Sequence, residues 1–542
     1  MFNDAIDDQP HSQQALGFEG VDMVTPPAQL PPGLLSDAIN IICDGDGLAK
    51  SRPALKLNAF LSGTTVGGSY GYNGYTIVRG LCYYDLPDYE GTICHQDGKI
   101  LAIPSAANVA TPTGVFAPLS FNATPVDTVQ MIDTLYYLLD GFLCWTKYTG
   151  GVWTNGLVTT FSSGAAMPAW SRIVSQGFRL LLMEANGYKL YASAIGAAAL
   201  PANWVSTDNI RVGTGTGDPA RGLVASQGGF VTMLNAQSVY QIDVSNPTVA
   251  NWSGLRVTSA VGCVEGRTAV AFGQDVYFLA RPGVVSLGSL TDTLSLAPSA
   301  TLSAPLQPII DRINWTYIST AFATSWRELY LLAVPLDSDT RPKHLLAFHT
   351  RLKRWMGIWD FTTAVAATQP NADNVSFAGF TCGTVCNFGD KAETLLADNT
   401  GRVLRIDATA VADAWYNGGA TAFYSIIVTR AFAHDAVDCL KQPMLLEFEQ
   451  VDALSTAVFS FYLPDDAPTQ TIATYANWPT YRIANGAAYD PAAGVDRKRY
   501  SLRNYARNRD ARAELYSVNA SGGLRLRAVK STAYIDPPQL TV

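Results

Sequence analysis

From about residue 69 to residue 410 one local pattern recurs: a short apolar, β-branched or aromatic run, a tight turn of Gly, Asn or Asp, and a second such run. It is seen in DTLYYLLDGFLCW at 133–145, FRLLLMEANGYKLYAS at 178–193 and GGFVTMLNAQSVYQIDV at 228–244. It returns in DVYFLARPGVVSLG at 275–288, SWRELYLLAVP at 325–335 and LLADNTGRVLRID at 395–407. Gly, Asn and Asp tolerate the positive φ of a two-residue hairpin turn, and half-buried strands alternate or run apolar, so each phrase reads as a β-hairpin. Successive hairpins are roughly 40–50 residues apart, the interval at which a four-stranded blade recurs. The expected fold class is therefore all-β, a β-propeller of about six blades. No fixed repeat signature accompanies the pattern, which leaves a pair of β-sandwiches as the alternative. One segment reads as a short amphipathic helix: in APLQPIIDRIN at 304–314, Leu306, Ile309, Ile310 and Ile313 recur at three- and four-residue spacing.

The ends of the chain depart from this pattern. Residues 1–60 are expected as an extended N-terminal arm with the first strands, 61–415 as the propeller, and 416–542 as a C-terminal β-domain with a basic end. Before Lys50 there is no Lys or Arg, whereas Asp4, Asp7, Asp8, Glu19, Asp22, Asp37, Asp44 and Asp46 are acidic. TPPAQLPPG at 25–33 forbids regular helix or central strand, so the arm is expected to lie extended on another surface. After 420 the strand-like runs lengthen, as in AFYSIIVTRAF at 422–432 and MLLEFEQV at 444–451. Arg497, Lys498, Arg499, Arg503, Arg507 and Arg509 then make a basic finish opposite in sign to the start.

Charge and patterning exclude several functions. A net charge of −8 over 542 residues gives no basic footprint of a general nucleic-acid binder. The acidic start MFNDAIDDQPHSQQ lacks the basic region of a secretory signal, and no apolar stretch reaches the roughly 18 residues of a membrane helix. The chain is expected to be soluble and made in cytoplasm, with its eight scattered cysteines reduced and mostly buried.

Motifs for chemistry are weak. GGSYG at 67–71 fits a nucleophile elbow at Ser69, but YNGYTIV after it reads as strand where a helix is required. GTGTGD at 213–218 lacks the Lys-Ser/Thr of a phosphate loop. Cys382 and Cys386 have no further His or Cys nearby to complete a zinc site. His344 and His349 are an odd number of residues apart on a strand and point to opposite faces. Carboxylate pairs for glycosidase chemistry meet in space and are not legible in sequence. Trp145, Trp153, Trp204, Trp252, Trp326, Trp355 and Trp359 read as seals between blades, with sugar-stacking platforms as the alternative. The basic run at the C-terminus is read as a subunit interface. No catalytic residue, metal or cofactor is expected.

PPGLLSDAINIICDGDGLAKSRPALKL at 31–57 resembles the opening of many phage tail and neck proteins, in which a DA-x-N phrase precedes an acidic-Gly turn and an Arg-Pro-Gly. The matching positions are Asp37, Ala38, Asn40, Asp44, Gly47, Arg52 and Pro53, with Ala54 standing where Gly is usual. RLLLMEANGYKLYASAIGAAALPANW at 179–204, VGCVEGRTAVAFGQDVYFLARPGVVSLG at 261–288 and LLAVPLDSDTRPKHLLAFHTRLKRWMGIWDF at 331–361 are similar to later blades of that family. The family is that of tail nozzle or tail-tubular proteins, including phage stabilisation proteins, of short-tailed phages. The resemblance implies a non-catalytic virion protein of the tail, assembled in the host cytoplasm as a propeller subunit of a ring, commonly a hexamer. It implies docking to the portal-adaptor protein and to tail fibre or spike proteins, with viral DNA passing through the lumen without sequence recognition. It makes Asp37, Asn40, Asp44, Gly47, Arg52 and Pro53 a docking or structural motif. The alternatives are a receptor- or glycan-binding tail tip and a propeller glycosidase, whose Ser-x-Asp-x-Gly-x-Thr-Trp boxes are not found in this sequence.

Overall fold

The computed structural model describes residues 11–60, 77–86, 89–96, 99–104, 113–116, 127–185, 187–213, 217–226, 228–292, 301–362, 377, 379–388, 391–410, 412–416, 419–432, 441–451, 456–462, 470–475, 495–501, 512–519 and 525–535. The fold is all-β, with short helical segments only. Among the described residues, seven small antiparallel sheets follow one another between residues 78 and 407.

Sheet I is built from Val78–Leu86, Tyr89–Gln96, Lys99–Pro104 and Thr113–Phe116, and sheet II from Asp127–Met131, Thr134–Leu139, Phe142–Thr149 and Val152–Val158. Sheet III comprises Trp170–Gln176, Arg179–Glu184, Lys189–Ser193 and Trp204–Arg211, and sheet IV comprises Ala220–Ser226, Phe230–Asn235, Val239–Asp243 and Ser253–Thr258. Sheet V has Val270–Phe272, Asp275–Ala280 and Gly283–Ser286. Sheet VI begins with Phe322–Trp326, Leu329–Val334, His344–His349 and Arg354–Asp360. Sheet VII has Phe380–Phe388, Lys391–Asp398 and Arg402–Asp407, and its fourth strand is Ala54–Phe60 from the N-terminal region. Each of the six hairpins read from the sequence is present in these sheets. At the tip of the hairpin in sheet II, Asp140 and Gly141 both have positive φ, 47° and 82°, as a two-residue mirror-image turn requires.

The first strand of each sheet packs beside the first strand of the next, and that of sheet VII returns to that of sheet I, so these seven strands close a ring. Side chains of period two then fill the seams between neighbours. In RLLLME, Leu180 and Leu182 enter the core shared by sheets II and III, while Leu181 and Met183 enter that shared by III and IV. Both faces of the strand are buried, which is why it reads as a continuous apolar run without alternation. Tyr137, Leu135 and Leu139 likewise face sheet I, and Tyr136 and Leu138 face sheet III.

The ends of the chain tie this ring to further sheets. Asp37–Ile39 lies parallel to Arg354–Asp360 and antiparallel to Phe423–Val428, so sheet VI runs on through Phe423–Val428 to Arg512–Asn519, Thr456–Tyr462 and Gln470–Tyr475. A separate sheet joins Val495–Ser501, Lys441–Val451, Arg525–Ile535, Ala49–Ser51 and Ile41–Cys43, with His11–Leu16 added on Arg525–Ile535. Strands from the described part of residues 1–60, the region expected as an extended arm with the first strands, thus join three larger sheets, and Gly20–Val21 pairs with Leu34–Leu35 in a further small one. Phe18, Leu35, Ile41 and Cys43 are fully buried there, and their apolar burial holds the segment in place despite its prolines.

The expected amphipathic segment is a 3-10 turn, Ala304–Leu306, followed by a helix at Gln307–Ile310. Leu306, Ile309, Ile310 and Ile313 are all buried. A second helix, Leu287–Asp292, follows sheet V.

Candidate functional site

Most of the motif residues in the 31–57 phrase meet in one buried polar clamp. Asn40 turns the chain with a left-handed backbone, φ 58°, between the strands Asp37–Ile39 and Ile41–Cys43. Its Oδ1 accepts from Arg52 Nε at 2.9 Å and from the Asp360 backbone N–H at 2.7 Å, while its Nδ2 donates to the Tyr424 carbonyl at 2.7 Å. Arg52 donates from Nη1 and Nη2 to the two oxygens of Asp413, at 3.0 and 2.7 Å, and from Nη1 to the Pro53 carbonyl at 2.9 Å. Its guanidinium lies between the rings of Phe361 and Phe423, 4.1 and 3.9 Å from their centroids. Arg52 is chosen over Lys for such a place because its planar fork pairs with a carboxylate at two points and stacks on aromatic faces.

Asp44 and Gly47 shape the neighbouring turn. Asp44 Oδ1 accepts from Leu48 N at 3.0 Å and Asp46 N at 3.2 Å, and Oδ2 accepts from Lys50 Nζ at 3.4 Å. Gly47 has φ +75°, and a Cβ there would stand 2.6 Å from Gly17 Cα. Asp37 is placed on the strand that bridges sheet VI to Phe423–Val428, opposite Val428. The groups of Asn40, Arg52 and Asp413 are engaged with one another and with backbone, so the clamp does structural work and offers no ready site for reaction chemistry.

A second constellation lies on the axis of the ring. A cavity of about 230 Å³ is lined from six of the sheets and from the turn before sheet V, and its charged walls are Arg79, Asp127, Arg172 and Arg267. Gly266 lets the turn before sheet V close against sheet IV, because a Cβ there would meet the Arg221 carbonyl at 2.0 Å. Glu265 bridges two of the arginines, at 2.6 Å to Arg172 Nη2 and 3.7 Å to Arg267 Nε. Arg267 otherwise donates to the carbonyls of Thr381 at 3.3 Å and Ser319 at 2.5 Å. Asp127 accepts from the Ile173 backbone N–H at 3.0 Å. Burial raises the Asp127 pKa against the pull of Arg172, and burial lowers that of Arg267 against the pull of Glu265. No reading of the sequence singled out these residues, because four positions spread over 79–267 meet only through ring closure.

The remaining candidates are placed as follows. His344 faces Asp360 and Asp339, at 3.5 and 3.9 Å, whereas His349 faces Glu328 at 3.4 Å, so the two histidines do not share a site. Among the described residues no group of three or more His, Cys, Asp or Glu is placed to hold a metal ion. The seven described cysteines are free thiols. Trp204, Trp252, Trp326, Trp355 and Trp359 are buried, and Trp145 and Trp153 are half-buried, so these indoles act as packing. Trp204, Trp252, Trp355 and Trp359 each donate their ring N–H to a backbone carbonyl. GGSYG at 67–71 lies outside the described residues, as do residues 214–216 of GTGTGD. Asp218 of that segment accepts from Gln237 N at 2.6 Å and holds a turn.

Of the basic finish, Arg497, Lys498 and Arg499 are on the strand Val495–Ser501, and Arg503, Arg507 and Arg509 lie outside the described residues. The antiparallel register sets Arg499 across from Glu447 and Arg497 across from Glu449.

No protein-family model matches the chain. No curated protein matches it either. Among solved structures it is similar to the extracellular domain of a hybrid two-component system from B. thetaiotaomicron, at 12% identity and a TM-score of 0.29, over 68% of this chain and 38% of that one. It is also similar to the CNH domain of AfRom2, at 6% identity and a TM-score of 0.34, over 65% of this chain and 97% of that one. The chain therefore spans less than two thirds of the first of these structures, and similarity at these levels carries no statement about activity.

Proposed function

We propose that this chain is a non-catalytic structural protein of a phage virion, a β-propeller subunit of the ring that extends the portal channel at the end of a short tail. The propeller reading is supported by the closed ring of seven first strands and by the N-terminal strand Ala54–Phe60, which completes the last sheet. Seven sheets lie in that ring where the sequence spacing suggested about six blades. The sheet absent from the six hairpins read in the sequence is sheet I, Val78–Leu86 to Thr113–Phe116.

One observation carries the functional reading. The phrase that resembles tail and neck proteins is also the segment that joins the ring to the C-terminal sheets through Asn40, Arg52 and Asp413. In this reading the clamp holds the propeller and the C-terminal sheets of each subunit as one body between its partners. Those partners are further copies of the chain, the portal-adaptor protein and tail fibre or spike proteins, and viral DNA passes without sequence recognition. The seven indoles named above are buried or half-buried, which weighs against their use as sugar-stacking platforms.

The test is electron microscopy of the purified full-length protein with its mass in solution, followed by its location in virions. Closed rings with a central hole, about six copies each, are the expected result. A monomer at all concentrations that releases sugar from host polysaccharide would replace this reading by the glycosidase one.

A further inference from the structure

Buried guanidinium groups are costly unless each finds an anion or enough acceptors. For Arg172 and Arg267 on the ring axis this requirement is only partly met among the described residues. Three arginines line the cavity with a single carboxylate, Asp127, and that carboxylate accepts from the Ile173 backbone N–H. Arg172 and Arg267 share one carboxylate, Glu265, and the second of these contacts is long at 3.7 Å. Arg172 Nε is buried and has no hydrogen-bond partner among the described residues. The remaining hydrogen bonds of Arg267 go to neutral backbone carbonyls, and burial lowers the pKa of its guanidinium against the pull of Glu265. The cavity between these groups, about 230 Å³, has room for a small solute.

We propose that the axial cavity is a binding site for a compact oxyanion of the phosphate or small-carboxylate class, held by Arg172 and Arg267, with Arg79 also in its lining. The guanidinium fork matches two oxygens of such an ion, which gives charge-assisted hydrogen bonds that chloride cannot reproduce in geometry. Arg79 comes from sheet I, Arg172 from sheet III and Arg267 from the turn before sheet V, so a bound ion braces sheets that are not neighbours in the ring. It does not depend on the virion reading above.

The test uses full-length protein freed of phosphate and carboxylate buffers. Thermal unfolding and isothermal titration are followed with sodium phosphate and with malonate, against sodium chloride at matched ionic strength. Saturable binding with a rise in unfolding temperature is expected for phosphate, for malonate or for both, and the pattern separates the two sources of oxyanion. Arg172→Lys keeps the charge but loses the fork, and is expected to weaken binding at least tenfold while the protein stays folded. Arg312→Met, at an exposed arginine away from the cavity, is expected to leave binding unchanged. Phosphate and malonate titrations indistinguishable from chloride would overturn the proposal, as would full binding retained in a folded Arg172→Lys protein.

Discussion

Arg52 and Asp413 lie 361 residues apart in the chain and meet as a two-point ion pair, 3.0 and 2.7 Å, with their side chains 0% and 2% exposed. The pair fastens the N-terminal region to the strand after sheet VII, and Asp413 Oδ1 also receives the Leu55 backbone N–H at 2.8 Å. Removing one partner leaves the other charge buried without compensation.

Arg52→Met is therefore expected to lose about 3–5 kcal/mol in equilibrium urea unfolding, the range for breaking a buried pair. The double variant Arg52→Met with Asp413→Leu is expected to recover part of that loss, because it removes the stranded carboxylate. A single variant within about 0.5 kcal/mol of the parent, in the range of ordinary surface changes, would show that the clamp does not hold the ends together.

His95 is buried against Tyr137, with ring centroids 4.9 Å apart, and neither imidazole nitrogen has a partner among the described residues. Burial lowers its pKa from 6.5 to about 3. The unfolded chain takes up a proton near pH 6.5 that the folded chain excludes until about pH 3, so stability is lost as pH falls through that window. The slope from this residue approaches about 1.4 kcal/mol per pH unit. His95→Phe is expected to flatten the fall in unfolding midpoint between pH 6 and pH 4 relative to the parent. Parallel pH profiles for the two proteins would refute the assignment.

Ile132 and Phe178 occupy hairpin turns with φ 56° and 58° and are 56% and 70% exposed. A left-handed backbone costs a non-glycine residue about 1–2 kcal/mol. Ile132→Asn and Phe178→Asn, which suit that conformation, are each expected to raise stability by about 1 kcal/mol. Calorimetric unfolding temperatures below that of the parent would contradict this.

Burial pushes the thiols of Cys43, Cys82, Cys144, Cys263, Cys382 and Cys386 up to about 12, from an ordinary value of 9.0. Thiolate is the reactive form, so labelling at pH 8 is expected to be about a thousandfold slower than for a free thiol. A disulfide-exchange reagent applied to native protein should leave these six thiols unmodified until denaturant is added. Rapid labelling of several thiols in the native state would show that the seams between sheets open readily.

The hairpins were legible because their information is local: apolar runs such as LLLM and turn residues such as Asp140 and Gly141 act within a few residues of one another. The buried amphipathic segment at 304–314 was legible for the same reason, since four apolar side chains at helical spacing need only one neighbouring surface. The motif Asn40, Arg52 and Pro53 was visible as a motif, but its partners Asp360, Asp413 and Tyr424 were not, because no spacing links residues more than 300 positions apart.

The amino-acid order alone was enough for the β class, the turn positions and the polarity of the two ends, all of which follow from side-chain size, backbone preference and charge along short stretches. The closure of seven sheets, the weaving of residues 11–60 into their own chain, and the gathering of Arg79, Asp127, Arg172 and Arg267 on one axis were settled by packing. Those contacts join segments distant in the chain, and they form because each sheet has two apolar faces that only its neighbours in the ring can cover.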